Sequence, residues 1–186
     1  MQIWKLERGE RFARKAVSAL KKGKVLVCPT DTVYGLLADA TNRRALRKVF
    51  QIKQRKLNKP LPLFVRNIDM AKKLVKVSPL QEHFLKKAWP GKVTAVLESK
   101  TKGTIGLRIP KHPFTQNLLR IFSRPVTGTS ANIAGLKPTR SLKEILSQFE
   151  KRKHQPDIVI DGGKLPFSKP SKVIDLTSSK KKILRP

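Results

Sequence analysis

The chain has 186 residues, of which 39% are apolar, so it is long enough to bury a hydrophobic core. Lysine and arginine contribute 42 residues against 12 acidic ones, giving a net charge of +30; this imbalance excludes a surface of balanced salt bridges and favours an anionic partner. The single cysteine excludes an internal disulfide, and the three dispersed histidines argue against a structural zinc site.

The remaining composition indicates where the protein works and what it contacts. Residues 1–10 mix apolar and charged side chains rather than forming a signal core, and no long apolar run predicts a membrane span, so we expect a cytoplasmic protein without a membrane partner. Because only 6% of the residues are aromatic, structured RNA is the favoured polyanion, and a merely solvated basic surface is the alternative. No repeat or Gly/Ser-rich linker divides the chain, which predicts one domain over residues 1–186.

The first predicted elements surround a polar octet. An apolar run over residues 25–28 predicts a buried strand that enters the octet PTDTVYGL at residues 29–36. After the possible caps Thr41 and Asn42, apolar residues at helical spacing predict a helix that ends just before Lys53. A strand over 61–65, a helix over 68–75 and a helix from the Ser78-Pro79 pair to residue 89 follow.

The second half of the chain repeats this alternation. The pattern predicts strands over 93–97, 104–109 and 125–127, a helix over 114–122, a helix that a capping box opens at Ser141, and strands over 157–160, 172–176 and 182–184. Because helical crossovers and hairpins both occur, we expect an α/β fold in which a single domain contains one twisted mixed sheet, parallel and antiparallel, with flanking helices.

The cationic group Lys53-x-Arg55 is the first candidate for phosphate binding. The chain contains no glycine-rich phosphate motif, so side chains must bind any phosphate: Arg55 in a bidentate manner and Lys53 as a point charge. A solvated basic loop is the alternative. In the octet, Asp31 could bind magnesium, orient a hydroxyl, or cap its own turn.

The second candidate is a polar turn at Ser130 and Asn132, which can present a hydroxyl and an amide to an oxyanion. Its alternative is a turn whose hydrogen bonds are satisfied locally. No general base or nucleophile elbow accompanies Ser130, so a serine nucleophile is disfavoured. Cys28 lies in an apolar run and is expected in the core.

Six segments together resemble the threonylcarbamoyl-AMP synthases, the YrdC-like family, in the short form without an extra carboxyl-terminal domain. They are residues 29–36, 53–55, 89–94, 107–110, 129–135 and 171–175, in the family's order. The resemblance implies a YrdC-like (β/α) fold and a nucleotidyltransferase that joins L-threonine, bicarbonate and ATP to give threonylcarbamoyl-adenylate and pyrophosphate. The adenylate would serve N6-threonylcarbamoyladenosine modification of tRNA position 37 by a downstream transferase complex.

The resemblance also implies roles for individual residues. Thr32, Arg108 and Ser171 should surround threonine; Arg55, Lys59, Thr104, Ser130 and Arg185 should bind ATP; and Lys53, Arg55, Ser130 and Asn132 should form the catalytic group. Mg²⁺ is expected with the triphosphate, without a protein metal ligand. Two alternatives remain open: a structured-RNA (tRNA or rRNA) binding protein with little or no synthase activity, and a relative that carbamoylates another acceptor.

Overall fold

The computed structural model describes residues 1–178 and 180–186, and within them the chain forms eleven strands and six helices. The strands are β1 Gln2–Lys5, β2 Leu26–Cys28, β3 Gly35–Leu37, β4 Leu63–Phe64, β5 Val93–Glu98, β6 Thr104–Arg108, β7 Val126–Thr127, β8 Thr129–Ser130, β9 Ile158–Asp161, β10 Lys172–Asp175 and β11 Lys182–Arg185. The helices are α1 Glu10–Lys21, α2 Arg43–Lys53, α3 Ile68–Leu74, α4 Pro79–Ala88, α5 Pro113–Phe122 and α6 Leu142–Phe149.

The strands form two mixed sheets. The first sheet has the order β1-β9-β2-β3-β8, and the second sheet has the order β11-β10-β5-β6-β4-β7. Each contains parallel pairs, such as β2 with β9 and β5 with β10, and antiparallel pairs, such as β2 with β3 and β5 with β6. The predicted mixed α/β class is therefore confirmed, whereas the expectation of one sheet is corrected to two.

The division into two sheets occurs at one residue. Gly128 lies between β7, which pairs with β4 of the second sheet, and β8, which pairs with β3 of the first sheet. The strands on either side of Gly128 are only two residues long, so the sequence pattern could not reveal that they belong to different sheets.

Helices cover three of the four sheet faces. In the first sheet, alternate β2 residues face α1 and α5 on one side, through Leu26 and Cys28, and α2 and α6 on the other, through Val27. In the second sheet, Ala95 and Leu107 face α3 and α4. The remaining face of the second sheet carries the polar residues described below.

Each predicted helix and strand is present, with its ends displaced by one or two residues. The capping signals are observed at Ser78, whose side chain accepts from the amide of Gln81, and at Ser141, which accepts from Glu144. The pattern missed β1, β3, β8 and α1, although α1 has its buried residues at helical spacing. Every helix within the described ranges is too short or too polar to cross a membrane.

Candidate active site

A cavity of about 640 Å³ lies against the open face of the second sheet. The octet, the end of α2 with the loop that follows it, and the β8 turn close its other sides. All ten predicted site residues line this one cavity: Thr32, Lys53, Arg55, Lys59, Thr104, Arg108, Ser130, Asn132, Ser171 and Arg185. Segments up to about 150 residues apart in sequence thus meet at one place; the roles of the individual side chains stay predictions.

Strand alternation explains how β6 contributes to the cavity. Thr104, Gly106 and Arg108 are spaced by two residues and line the cavity, while Ile105 and Leu107 pack in the core behind the sheet. The neighbouring strand β5 places Thr94 and Val96 on the same face by the same rule. The sequence analysis missed Thr94 and Val96, although the alternation of β5 could have indicated them.

Arg108 is buried at 3% exposure and forms an ion pair with Asp31. Its Nη2 donates to Asp31 Oδ1 at 2.6 Å, its Nη1 to Thr32 Oγ1 at 3.2 Å, and its Nε to the Gly91 carbonyl at 2.8 Å. These bonds use three of the five guanidinium N–H donors, so two remain for a ligand. Burial lowers the pKa of Arg108, and the neighbouring carboxylate of Asp31 opposes that shift.

Asp31 therefore has a different role from the three considered at first. Its Oδ1 is taken by the guanidinium, which corrects the expectation that it binds magnesium, orients a hydroxyl or caps its turn. Its Oδ2 is buried, and no donor among the described residues reaches it. Because an unpaired buried guanidinium is costly, the main effect of Asp31 is to neutralise and orient Arg108.

Hydroxyl groups form the rest of the predicted threonine pocket. The Thr32 hydroxyl lies 3.1 Å from that of Thr30, and both side chains are buried. The Ser171 hydroxyl lies 2.8 Å from that of Thr94. Arg185 donates to the carbonyl of Ser171 from Nη2 at 2.7 Å and from Nε at 3.0 Å, which fixes β11 beside the start of β10.

Lys53 is the last residue of α2, not a residue beyond its end, and it is 2% exposed. Its ammonium donates to the carbonyls of Ser130 at 2.6 Å and Asn132 at 2.8 Å, and to Asn132 Oδ1 at 3.3 Å. All three N–H donors thus have partners within the protein, so Lys53 ties the polar turn to α2. Its role as a point charge on phosphate stays a prediction. Burial, with a smaller contribution from Arg55, lowers the pKa of Lys53 to about 7.

The polar turn itself is held in one arrangement. Ser130 Oγ donates to Asn132 Oδ1 at 2.5 Å, and Asn132 Nδ2 donates to the carbonyls of Ile133 and Leu136 at 2.8 and 2.7 Å. The amide group of Asn132 is therefore occupied locally, whereas the Ser130 oxygen keeps acceptor capacity toward the cavity.

The loop after α2 presents the exposed cations. Arg55 donates from Nε to the Lys59 carbonyl and from Nη2 to the Pro60 carbonyl, both at 3.1 Å, and leaves Nη1 without a protein partner among the described residues. The Lys59 side chain is exposed on the cavity rim. These two cations, with Lys56 and Arg185, line the cavity where a polyphosphate could reach them.

Two further residues shape the cavity wall. A Cβ atom on Gly128 would lie 2.3 Å from Cδ1 of Phe64, so only glycine fits where the chain passes between the sheets. Tyr34 is fully buried and lines the cavity; its hydroxyl donates to the Gly163 carbonyl at 2.8 Å and accepts from the Gly162 amide at 2.9 Å. Cys28 is fully buried in the core, as predicted, and burial raises the pKa of its thiol.

The cavity is poor in metal ligands. Among the described residues, its lining includes no Asp, Glu, His or Cys, and no group of three such side chains lies together elsewhere. The donor set therefore does not fit a metal ion held by the protein, and any Mg²⁺ would arrive with a triphosphate.

Comparison with known proteins agrees with this geometry. The family model Sua5/YciO/YrdC, described as telomere recombination, matches residues 18–186. The chain belongs to this family. A Methanocaldococcus jannaschii protein provisionally named threonylcarbamoyl-AMP synthase is 38% identical over 191 residues, covering 97% of this chain and 88% of the relative. A *Pyrococcus abyssi* threonylcarbamoyl-AMP synthase is 32% identical and is covered over 53% of its length, so the chain spans about half of that relative.

Solved structures of the Sua5/YciO/YrdC family have the same fold. The crystal structure of P. abyssi Sua5 complexed with L-threonine superposes with a TM-score of 0.89 at 30% identity, covering 100% of this chain and 56% of that one. Escherichia coli YciO superposes with a TM-score of 0.88 at 28% identity, covering 99% of this chain and 94% of that one. The fold is thus shared along nearly the whole chain.

Proposed function

We propose that this protein is a threonylcarbamoyl-AMP synthase, which joins L-threonine, bicarbonate and ATP to give threonylcarbamoyl-adenylate and pyrophosphate. The observation that carries the proposal is the convergence of the ten predicted residues on one cavity of about 640 Å³. The relatives named threonylcarbamoyl-AMP synthase and the Sua5 complex with L-threonine support it.

The chemistry requires the protein to position reactants and to neutralise charge. The threonine amine attacks bicarbonate to form a carbamate, with loss of water, and a carbamate oxygen then attacks the α-phosphorus of ATP as pyrophosphate leaves. No side-chain nucleophile is needed, which agrees with the hydrogen-bonded state of Ser130 and with the burial of Cys28.

The threonine end of the cavity is assigned to Arg108. Its two remaining N–H donors would receive the α-carboxylate of threonine, while the hydroxyls of Thr32 and Ser171 would contact the polar part of the substrate. Asp31 would keep the guanidinium oriented and would offset its charge before the substrate arrives.

The ATP end is assigned to the cations of the rim and to the polar turn. Arg55, Lys59 and Arg185 would neutralise the phosphates, and Thr104 and Ser130 would offer hydroxyl groups to the nucleotide. Lys53 and Asn132 would act by holding the turn in place. The expected downstream partner is a transferase complex that moves the threonylcarbamoyl group to tRNA.

The test is an incubation of the protein with ATP, threonine and bicarbonate, with pyrophosphate release as the readout. The proposal requires release that depends on both threonine and bicarbonate, and release without threonine would overturn it. Replacement of threonine by other amino acids distinguishes a threonine-specific synthase from a relative that carbamoylates another acceptor, since the second would release more pyrophosphate with a different amino acid. Absence of turnover together with salt-sensitive RNA binding would instead favour the RNA-binding alternative.

A further inference from the structure

The end of the first sheet that lies away from the cavity carries a dense set of cations. We name it the distal basic face and define it by Lys21, Lys24, Arg43, Arg44, Arg47 and Lys48. Helix α2 connects the two regions, since it begins at Arg43 on this face and ends at Lys53 in the cavity. Eleven helical residues span about 16 Å, so the face and the cavity are separate surfaces.

The carboxylates near the distal basic face are already engaged. Asp157 accepts from Lys48 at 2.7 Å and from the Val25 amide at 2.8 Å, and it lies 3.5 Å from Lys24. Asp39, which is 3% exposed, accepts from the hydroxyl of Thr41 and from Arg124.

Four cations of the face consequently have no acidic partner. Among the described residues, no carboxylate pairs with Lys21, Arg43, Arg44 or Arg47, and all four side chains are exposed. The chain has no Asp or Glu between Asp39 and Asp69 that could reach them from their own segment.

The placement of these cations on α2 opposes the stability of the helix. Arg43 and Arg44 occupy its first turn, where the helix dipole favours acidic residues and none is present. Arg43 with Arg47, and Arg44 with Lys48, are like charges four residues apart. A bound polyanion would relieve both effects. The Asn42 side chain already caps the amides of Arg44 and Ala45, so the side chains, not the helix terminus, would make the contacts.

Two hollows on the face indicate the kind of polyanion. One lies beside Lys21, Arg43 and Arg44, and the other beside Lys24 and Lys48, with volumes of about 530 and 550 Å³. Neither lining includes Phe, Tyr or Trp, and the one aromatic ring is that of His154 beside Lys24. Among the described residues that line the hollows, Met1 is the one exposed large apolar side chain. Such a surface can contact phosphates, but it offers at most one ring for base stacking and little apolar area for a lipid bilayer.

We propose that the distal basic face docks the sugar-phosphate backbone of a structured RNA while the cavity stays accessible to its substrates. This docking does not depend on the synthase activity, because the cations involved lie outside the cavity. It would retain the protein near an RNA without blocking the site.

The experiment compares two variants, each with four substitutions, with the wild-type protein. The first replaces Lys21, Arg43, Arg44 and Arg47 by glutamine. The matched control replaces Lys73, Lys87, Lys100 and Lys102 by glutamine; these exposed cations lie on the side of the second sheet and, among the described residues, also have no acidic partner. Both changes remove four charges. Fluorescence anisotropy with a labelled RNA hairpin gives the Kd over a series of salt concentrations.

The proposal expects the first variant to weaken binding of the hairpin at least about tenfold and to reduce the slope of log Kd against log salt by about two to four. The control should change the Kd less than about threefold. Equal losses in both variants would overturn the proposal, since binding would then reflect net charge alone. Tighter binding of single-stranded RNA, of a DNA duplex, or of phosphatidylserine vesicles would overturn the choice of partner.

Two further measurements keep the outcome interpretable. Circular dichroism and thermal unfolding verify that the first variant is folded, and the double variant Arg43→Gln/Arg44→Gln replaces it if it is not. Threonine-dependent pyrophosphate release should match the wild type in both variants. A wild-type protein without synthase activity would refute the proposed function and leave the docking result standing.

Discussion

The substitution Lys53→Met tests whether this lysine acts through the polar turn or directly on phosphate. Methionine replaces all of the lysine side chain except its terminal ammonium and so leaves the buried carbonyls of Ser130 and Asn132 without their donor. Each unpaired buried acceptor costs about 1–3 kcal/mol, and removal of the buried charge offsets part of that cost. We expect the free energy of unfolding to fall by about 2–3 kcal/mol, which lowers Tm by about 5–10 °C in a domain of this size.

The same substitution should lower turnover by at least about 100-fold, equivalent to about 2.7 kcal/mol in activation free energy, because the turn no longer holds Ser130 in place. Thermal unfolding and threonine-dependent pyrophosphate release measure the two effects on one preparation. Lys56→Met is the matched control for stability, since the Lys56 side chain is exposed and makes no described hydrogen bond. Its Tm should equal that of the wild type.

A Lys53→Met protein with the Tm of the wild type and no activity would refute the idea that Lys53 acts by holding the polar turn. That outcome would assign Lys53 to direct contact with the nucleotide. Wild-type activity in Lys53→Met would instead remove Lys53 from the site altogether.

Three other predictions follow from the structure. Gly128→Ala should lower the free energy of unfolding by about 1–3 kcal/mol, as measured by chemical denaturation, because the added Cβ would overlap the ring of Phe64. Gly106→Ala is the control: its Cβ would lie 3.4 Å from the nearest atom, so the free energy of unfolding should change by less than about 0.5 kcal/mol. Asp31→Asn should lower the free energy of unfolding by about 2–4 kcal/mol, because Arg108 stays buried with its charge uncompensated. It should also raise KM for threonine more than it lowers kcat, because the guanidinium is no longer held in place. An unchanged KM would contradict the orientation assigned to Arg108. Asp157 has a lowered pKa, because burial, which raises it, is outweighed by hydrogen bonds from a lysine and a backbone amide and by the lysine charges. The ionised carboxylate therefore stabilises the fold at pH values above the unfolded-state pKa of 3.8, and this stabilisation is lost as the pH falls through the lower folded-state pKa. The difference in unfolding free energy between the wild type and Asp157→Asn should consequently shrink below about pH 4. A difference that does not depend on pH would contradict this prediction.

Local patterns predicted much of the fold because they report on local structure. Apolar spacing and hydroxyl caps located the helix that opens after Asn42 and the one that opens after Ser78 within a residue. The sequence could not predict which strands share a sheet, because strand pairing depends on contacts between residues that are distant in sequence. A strand of two residues beside Gly128 carries no periodicity from which its sheet could be recognised.

The membership of the site was more predictable than the function of each member. The resemblance brought the ten residues together, and strand alternation on β6 explains why Thr104 and Arg108 face one cavity. The bonds of Lys53 and Asp31 could not be predicted, because they join residues 77 positions apart in each case. Residue type indicates a charge, but only the fold determines whether another part of the protein has already neutralised it.

The single-residue crossing at Gly128 has a mechanical consequence for the cavity. Thr127 in the second sheet and Thr129 in the first are separated by one residue, so their Cα atoms can be no more than about 7 Å apart. Close packing of Phe64 against this glycine leaves little space for the sheets to rotate about the crossing. The crossing therefore holds the two walls of the cavity at a nearly fixed spacing beside Gly128, so the width of this end of the cavity is set by the backbone.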